Sequence, residues 1–315
     1  MRLTSLSFLS FGLLGACGGG SSTTPDAPAA KDVGFNKPTK LLKANKGTTS
    51  GTTTTWSEIG DADLTCLNTA NDDVATSVAV TLNTVVKDFQ SGTLVPSAIT
   101  TAFTGIDSGT PFDTKTADAN GNATLTIPVG TKRFGFKMTT ANGTTMPTLL
   151  LNQTVDAGVA IQPTGSDTDP SKNLKIQSVS MTTAMLLPAL IGEERIVGTG
   201  VAAGALRDCQ RREMSNFVAT VSSTPTTATP VAGTEAYYFS PSANVPVKHT
   251  QADAAREDGI FMLIQVPVTS AAYVQAWGFP TQADLDGGTM KLISELKVPV
   301  IADTVITGSF EPIRQ

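Results

Sequence analysis

Histidine, cysteine and charge are all scarce in this 315-residue sequence: one His, three Cys, and 16% Asp, Glu, Lys and Arg together. With a single histidine, His249, any Ser-His-Asp or Cys-His arrangement has one possible base. His249 lies in the polar stretch VPVKHTQAD, no nucleophile-elbow motif occurs in the chain, and it is read as a surface residue. One histidine and separated cysteines make no zinc ligand set, so no metal is expected. Phosphate-cradling GxGxxG and GxxxxGKS loops are missing too, and no cofactor is called for. Basic residues number 22 against 27 acidic ones, a net charge of −5, which leaves nothing to displace counterions from a nucleic acid. Large helix-forming content is also low, whereas Thr, Ser, Ala, Gly and Val are abundant, a mix that favours strands.

What remains is informative from the first residue. After Met1-Arg2, the run Leu3 to Leu14 has the length of a secretory apolar core, shorter than the roughly 20 residues a membrane-spanning helix needs. Leu14-Gly15-Ala16-Cys17 then resembles a bacterial lipobox, an aliphatic residue and two small ones before cysteine. The resemblance implies a signal peptide over 1–16, cleavage before Cys17, and diacylglycerol on its sulfur. Two or three acyl chains hold a protein to a bilayer almost irreversibly. Gly18, rather than Asp, at the second mature position implies the outer membrane by the sorting habit of such lipoproteins. Residues 17–55, rich in Gly, Ser, Thr, Pro and Ala, read as a disordered tether kept solvated by spaced lysines.

Beyond the tether the chain repeats itself. Val85-Val86-Lys87-Asp88-Phe89-Gln90 parallels Ala205-Leu206-Arg207-Asp208-Cys209-Gln210, and each precedes a second strand, SAITTAF or NFVATV. Asn120-Gly121 opens NATLTIPVG as Asp258-Gly259 opens IFMLIQVPV, and the aromatic strands KRFGFKM and AYVQAWGF follow. Asn-Gly and Asp-Gly favour hairpin turns that need positive φ, and strict alternation such as Leu125 and Ile127 against Thr124 and Thr126 marks half-buried strands. The order of these landmarks resembles the carboxypeptidase regulatory-like domain. That resemblance implies an all-β chain of two tandem transthyretin-like Greek-key β-sandwiches, over 56–170 and 196–315. The first copy keeps a Ser91-Gly92 turn that Arg211-Arg212-Glu213 replaces in the second. A linker over 171–195 carries a short helix, TTAMLLPALIG, capped by Thr182 or Ser180, ended by Gly192, and packed as a spacer.

Four sets of residues remain to be weighed as sites. Once Cys17 is given to lipid, Cys66 and Cys209 read either as a disulfide or as two buried small apolar side chains. Tyr273 and Trp277, with Gln275 between them, share one strand face, which suits either stacking on sugar rings or the commoner task of filling a core. The acidic stretches Asp118–Asn122 and Asp284–Gly288 read as turns, because the former lacks the later ligands of a calcium loop. Adjacent pairs Asp72-Asp73 and Glu193-Glu194 point to opposite sides of an extended chain and share no acid-base work. The expectation is a non-enzymatic, lipid-anchored envelope protein. Its partners would be the membrane, through Cys17, and an envelope protein or polysaccharide.

Overall fold

The segment NATLTI shows how the chain is built: Ala123, Leu125 and Ile127 face inward while Thr124 and Thr126 face water. Repeated along the sequence, this period-two pattern produces strands with one wet face. The computed structural model describes residues 35–50, 53–104, 110–154, 161–162 and 174–315. In chain order the first half holds β1 (Lys43–Ser50), β2 (Thr53–Asp61), β3 (Val80–Asp88), β4 (Ala98–Thr104) and β5 (Pro111–Thr116). It continues with β6 (Asn122–Ile127), β7 (Arg133–Thr140), β8 (Thr145–Met146), β9 (Thr148–Thr154), β10 (Ile161–Gln162) and β11 (Leu174–Ser180). Helix α1 (Met181–Ile191) leads into β12 (Gly200–Ala205), β13 (Glu213–Ser215), β14 (Val218–Ser222), β15 (Glu235–Ser240) and β16 (Val245–Val247). The chain closes with β17 (Ile260–Val266), β18 (Thr269–Gly278), helix α2 (Gln282–Asp286), β19 (Lys291–Val300) and β20 (Val305–Gly308). The fold is all-β.

The two halves are one body, which corrects the expectation of two sandwiches separated at 171–195. Strand β20 pairs in parallel with β9, from Val305 opposite Thr148 to Gly308 opposite Leu151. A nine-stranded sheet therefore runs β16-β15-β17-β12-β20-β9-β7-β4-β5 through both halves. Phe103, Leu149 and Leu151 of the first half join Phe217, Phe261 and Phe310 of the second in one apolar cluster. Pairing the two sheet edges satisfies backbone groups that separate sandwiches would leave exposed.

The tether also ends earlier than its composition implies. Residues 17–34 lie outside the described residues, but β1 and β2 form a hairpin inside the stretch assigned to the tether. Lys43 to Asn45 pair with Ser215 to Glu213 of β13, and Leu42 and Ala44 are buried. Neither Lys37 nor Lys43 is free in solvent, since Lys37 Nζ donates to the Gly288 carbonyl and Lys43 Nζ to Asp61 Oδ1. Polar composition misleads here because the base of the hairpin is held by backbone pairing with β13 and the buried Asn45 as well as by Leu42 and Ala44.

The internal repeat is visible in the backbone. Val86 N–H donates to the Gly121 carbonyl, and Leu206 N–H to that of Gly259; the Val86 and Leu206 carbonyls accept from Val95 and Met214. Gly121 and Gly259 take φ of +75° and +66°, and a side chain on either would strike the carbonyl of Val86 or Met214 at 2.9 Å. Asp88 and Asp208, both buried, fold their carboxylates back onto the turn, accepting from Gln90 N at 3.1 Å and Gln210 N at 2.9 Å. The second turn is one residue shorter, and Arg211 adopts the left-handed conformation, φ +62°, that Gly92 holds at +68° in the first.

Helix α1 starts where Ser180 Oγ accepts from Thr183 N and stops at Gly192, φ +84°. It covers one face of the nine-stranded sheet and is no spacer between bodies. Thr183, Ala184, Leu187, Pro188 and Ile191 face inward. Met185, Leu186 and Leu190 stay in water, at 65%, 49% and 45% exposure.

Candidate functional site

The signal peptide and Cys17 lie outside the described residues. Cys66 and Cys209 are brought together: their Cα atoms stand 5.8 Å apart and a disulfide joins them across 143 residues. The repeat explains the placement. Asp208 Oδ2 accepts from Asp63 N at 3.0 Å, and Cys209 N donates to the Asp63 carbonyl, so the turn of the second copy grips residues 62–66 before sulfur meets sulfur. In the first copy the matching oxygen, Asp88 Oδ2, instead accepts from Ser180 N, the cap of α1. Burial works against the charged form of Asp88, but N–H donors from Ser91, Ser180 and Gln90 prevail and hold it below the usual carboxylate range. Beside the disulfide, Arg133 takes Asp73 in two bonds, of 2.5 and 2.9 Å, and also pairs with Glu311; Arg314 pairs with Asp72. The C-terminal residues Ile313 and Gln315 exchange backbone bonds with Asn68, Thr69 and Asn71. Asp72 and Asp73 thus serve as partners in a structural clamp.

Strand β18 carries Tyr273, Gln275 and Trp277 at alternate positions. Ala272, Val274 and Ala276 enter the core; Tyr273, Gln275 and Trp277 alternate with them, but Gln275 is buried at 1% exposure and Trp277 packs against that same core cluster. Both aromatic rings are half-buried. Across the ladders, Tyr273 lies opposite Ser222 and Lys297, and Gln275 opposite Thr220 and Glu295. Trp277 Nε1 donates to Gln275 Oε1 at 3.1 Å, and Gln275 Nε2 donates to Glu295 Oε2 at 2.7 Å. The row is therefore a hydrogen-bonded series of partly buried ring, buried amide and partly buried ring.

His249 is half-buried, not a surface residue. Its Nε2–H donates to the Ala236 carbonyl at 2.8 Å, and its ring stacks on Tyr237 with centroids 4.5 Å apart. A carbonyl can only accept, which fixes the tautomer and ties the ring to the backbone of β15. Asp118 Oδ1 accepts from Asn120 N at 2.8 Å and Asn122 N at 2.9 Å, so that carboxylate closes a turn. Asp284 sits in the first turn of α2, whose cap, Thr281, accepts from its N–H. Among the described residues no group of three or more His, Cys, Asp or Glu is placed to hold a metal.

Sequence reasoning missed a cavity of about 310 Å³ between the nine-stranded sheet and its cover of α1 and β11. The sheet side presents Ala203 and Ala205 from β12 beside Met262 from β17 and Val305 from β20. The signal was present in GVAAGA, a strand of small residues opposite IFMLIQV, but only pairing shows that no large side chain fills the gap.

No protein-family model matches the chain, and no curated protein does. Among solved structures, a glutamate-to-alanine variant of the shaft pilin SpaA from Lactobacillus rhamnosus GG is 10% identical over 75% of this chain and 98% of its own, at a TM-score of 0.24. The Bacillus anthracis TIE protein is 12% identical over 83% of this chain, which spans 38% of it, at a TM-score of 0.23. Both superpositions are loose, and neither assigns this chain a role.

Proposed function

We propose that the chain is a lipid-anchored, non-catalytic module of the bacterial cell envelope, held at the outer membrane through Cys17 and displaying its β body for binding or scaffolding. The observation that carries this reading is the order of the N-terminal signals: a dozen-residue apolar run, Leu14-Gly15-Ala16-Cys17, then a Gly/Ser/Thr stretch ahead of the folded body. The body supports it through its bracing. A disulfide, a clamp of Arg133 with Asp73 and Glu311, and a sheet shared by both halves suit a protein that must persist in an oxidising compartment. Growth of an expressing Gram-negative host on labelled palmitate is expected to label the wild type and drive it into a detergent phase, while Cys17→Ser stays unlabelled. A mature wild-type protein carrying no label and beginning elsewhere than Cys17 would end the proposal.

A second reading is favoured by the partly exposed rings of Tyr273 and Trp277, which flank the buried Gln275 on β18: these two rings bind polysaccharide by stacking. Tyr273→Ala and Trp277→Ala, each melting within a few degrees of wild type, are expected to lose at least tenfold in affinity for an envelope glycan. Unchanged retention of both variants on a glycan column that holds the wild type would refute it.

A further inference from the structure

The cavity beneath α1 does not end in apolar surface. Gln177, Ala205, Arg207 and Thr307 border both it and a polar groove that continues toward Arg211 and Ser309. We infer that the cavity and groove together form a binding site for a long-chain carboxylate, a fatty acid anion, with its chain between α1 and the sheet and its head at Arg207.

The chain half of the site follows from shape. Phe89 and Phe239 meet edge to face, 6.2 Å between centroids, at one wall. The small side chains Ala203 on the sheet and Ala184 on the helix leave the space between them open. A flexible methylene chain fits an irregular slot of this kind and removes its own apolar surface from water there.

The head half follows from charge. Arg207 is half in solvent and its Nε lies 3.1 Å from Glu213 Oε1, which leaves the other edge of the guanidinium to a ligand. Arg211 further along the groove has no ion pair among the described residues. The groove's carboxylates are already engaged: Asp208 with Arg212, and Glu311 with Arg133. A guanidinium fork matches one carboxylate in two parallel bonds. The inference does not depend on Cys17.

Titration calorimetry on the disulfide-intact protein with dodecanoate, dodecyl phosphate and dodecyltrimethylammonium tests it. Dodecanoate is expected to bind at micromolar concentration, at least tenfold tighter than the ammonium probe and no weaker than the phosphate. Ala203→Leu and Ala184→Leu fill the cavity from opposite walls, and each folded variant should weaken dodecanoate at least tenfold. Arg207→Gln should remove the preference for dodecanoate over the cationic probe while both still bind. No binding by any probe overturns the site. So does binding that neither cavity-filling variant alters. Equal affinity for the cationic probe, or tighter binding of dodecyl phosphate, overturns the carboxylate assignment.

Discussion

Removing the Cys66–Cys209 bond is expected to lower the stability of the body by about 5 kcal/mol, the chain-entropy figure for a loop closed across 143 residues. For a protein of this size that corresponds to a fall of about 10 °C in Tm. The effect resides in the unfolded chain, since the folded state already holds the two segments together through Asp63, Asp208 and the backbone of Cys209. Two consequences can be read in a calorimeter. Cys66→Ala, Cys209→Ala and the double variant should melt at the same temperature, because each removes one and the same cross-link. Dithiothreitol should bring the wild type to that temperature and leave all three variants where they are. A wild type indifferent to reductant would show that no such bond contributes.

The disulfide also marks the limit of what the sequence discloses. An even remainder of two cysteines raised the pairing, but only the turn built around Asp208 brings Cys209 to Cys66. The repeated landmarks were legible because they are local. An aspartate that folds back on its own turn and a glycine at positive φ write themselves into a few adjacent residues. Strand faces in NATLTI and AYVQAWGF were legible for the same reason, as period two needs no distant partner. Pairing of β20 with β9 joins residues more than a hundred positions apart and leaves no local trace, so two halves with repeated motifs read as two bodies. The hairpin at 43–61 was hidden by composition, since its Thr-rich strands carry few apolar residues and it is rooted by Leu42, Ala44 and the pairing of Lys43 to Asn45 with β13. The cavity was hidden in the opposite way. GVAAGA is visibly short of large side chains, but only its pairing with IFMLIQV beneath α1 shows that no neighbour fills the gap.

Asp258→Asn is expected to stabilise the protein, most of all at alkaline pH. In the first copy of the repeat the turn residue is Asn120, which is exposed; in the second it is Asp258, 3% exposed. Asp258 Oδ1 accepts from Ile260 N at 3.1 Å, while Oδ2 is buried with no hydrogen-bond partner. Burial pushes its carboxyl from 3.8 up to about 7; the neighbouring Glu257 charge adds to this, and the Ile260 N–H and Arg256 oppose it. A folded-state value above the unfolded one means that the native protein holds the proton more tightly. The stabilisation is complete below about pH 4 and is lost as pH rises toward and through 7. The full span of the shift amounts to at most about 4 kcal/mol. Asparagine keeps the acceptor for Ile260 and has no proton to lose. The variant should therefore match the wild type in unfolding free energy, read from urea titrations, at pH 4 and exceed it by about 2–4 kcal/mol at pH 8. Parallel curves for the two proteins across that range would mean that Asp258 ionises in the fold as freely as in the unfolded chain.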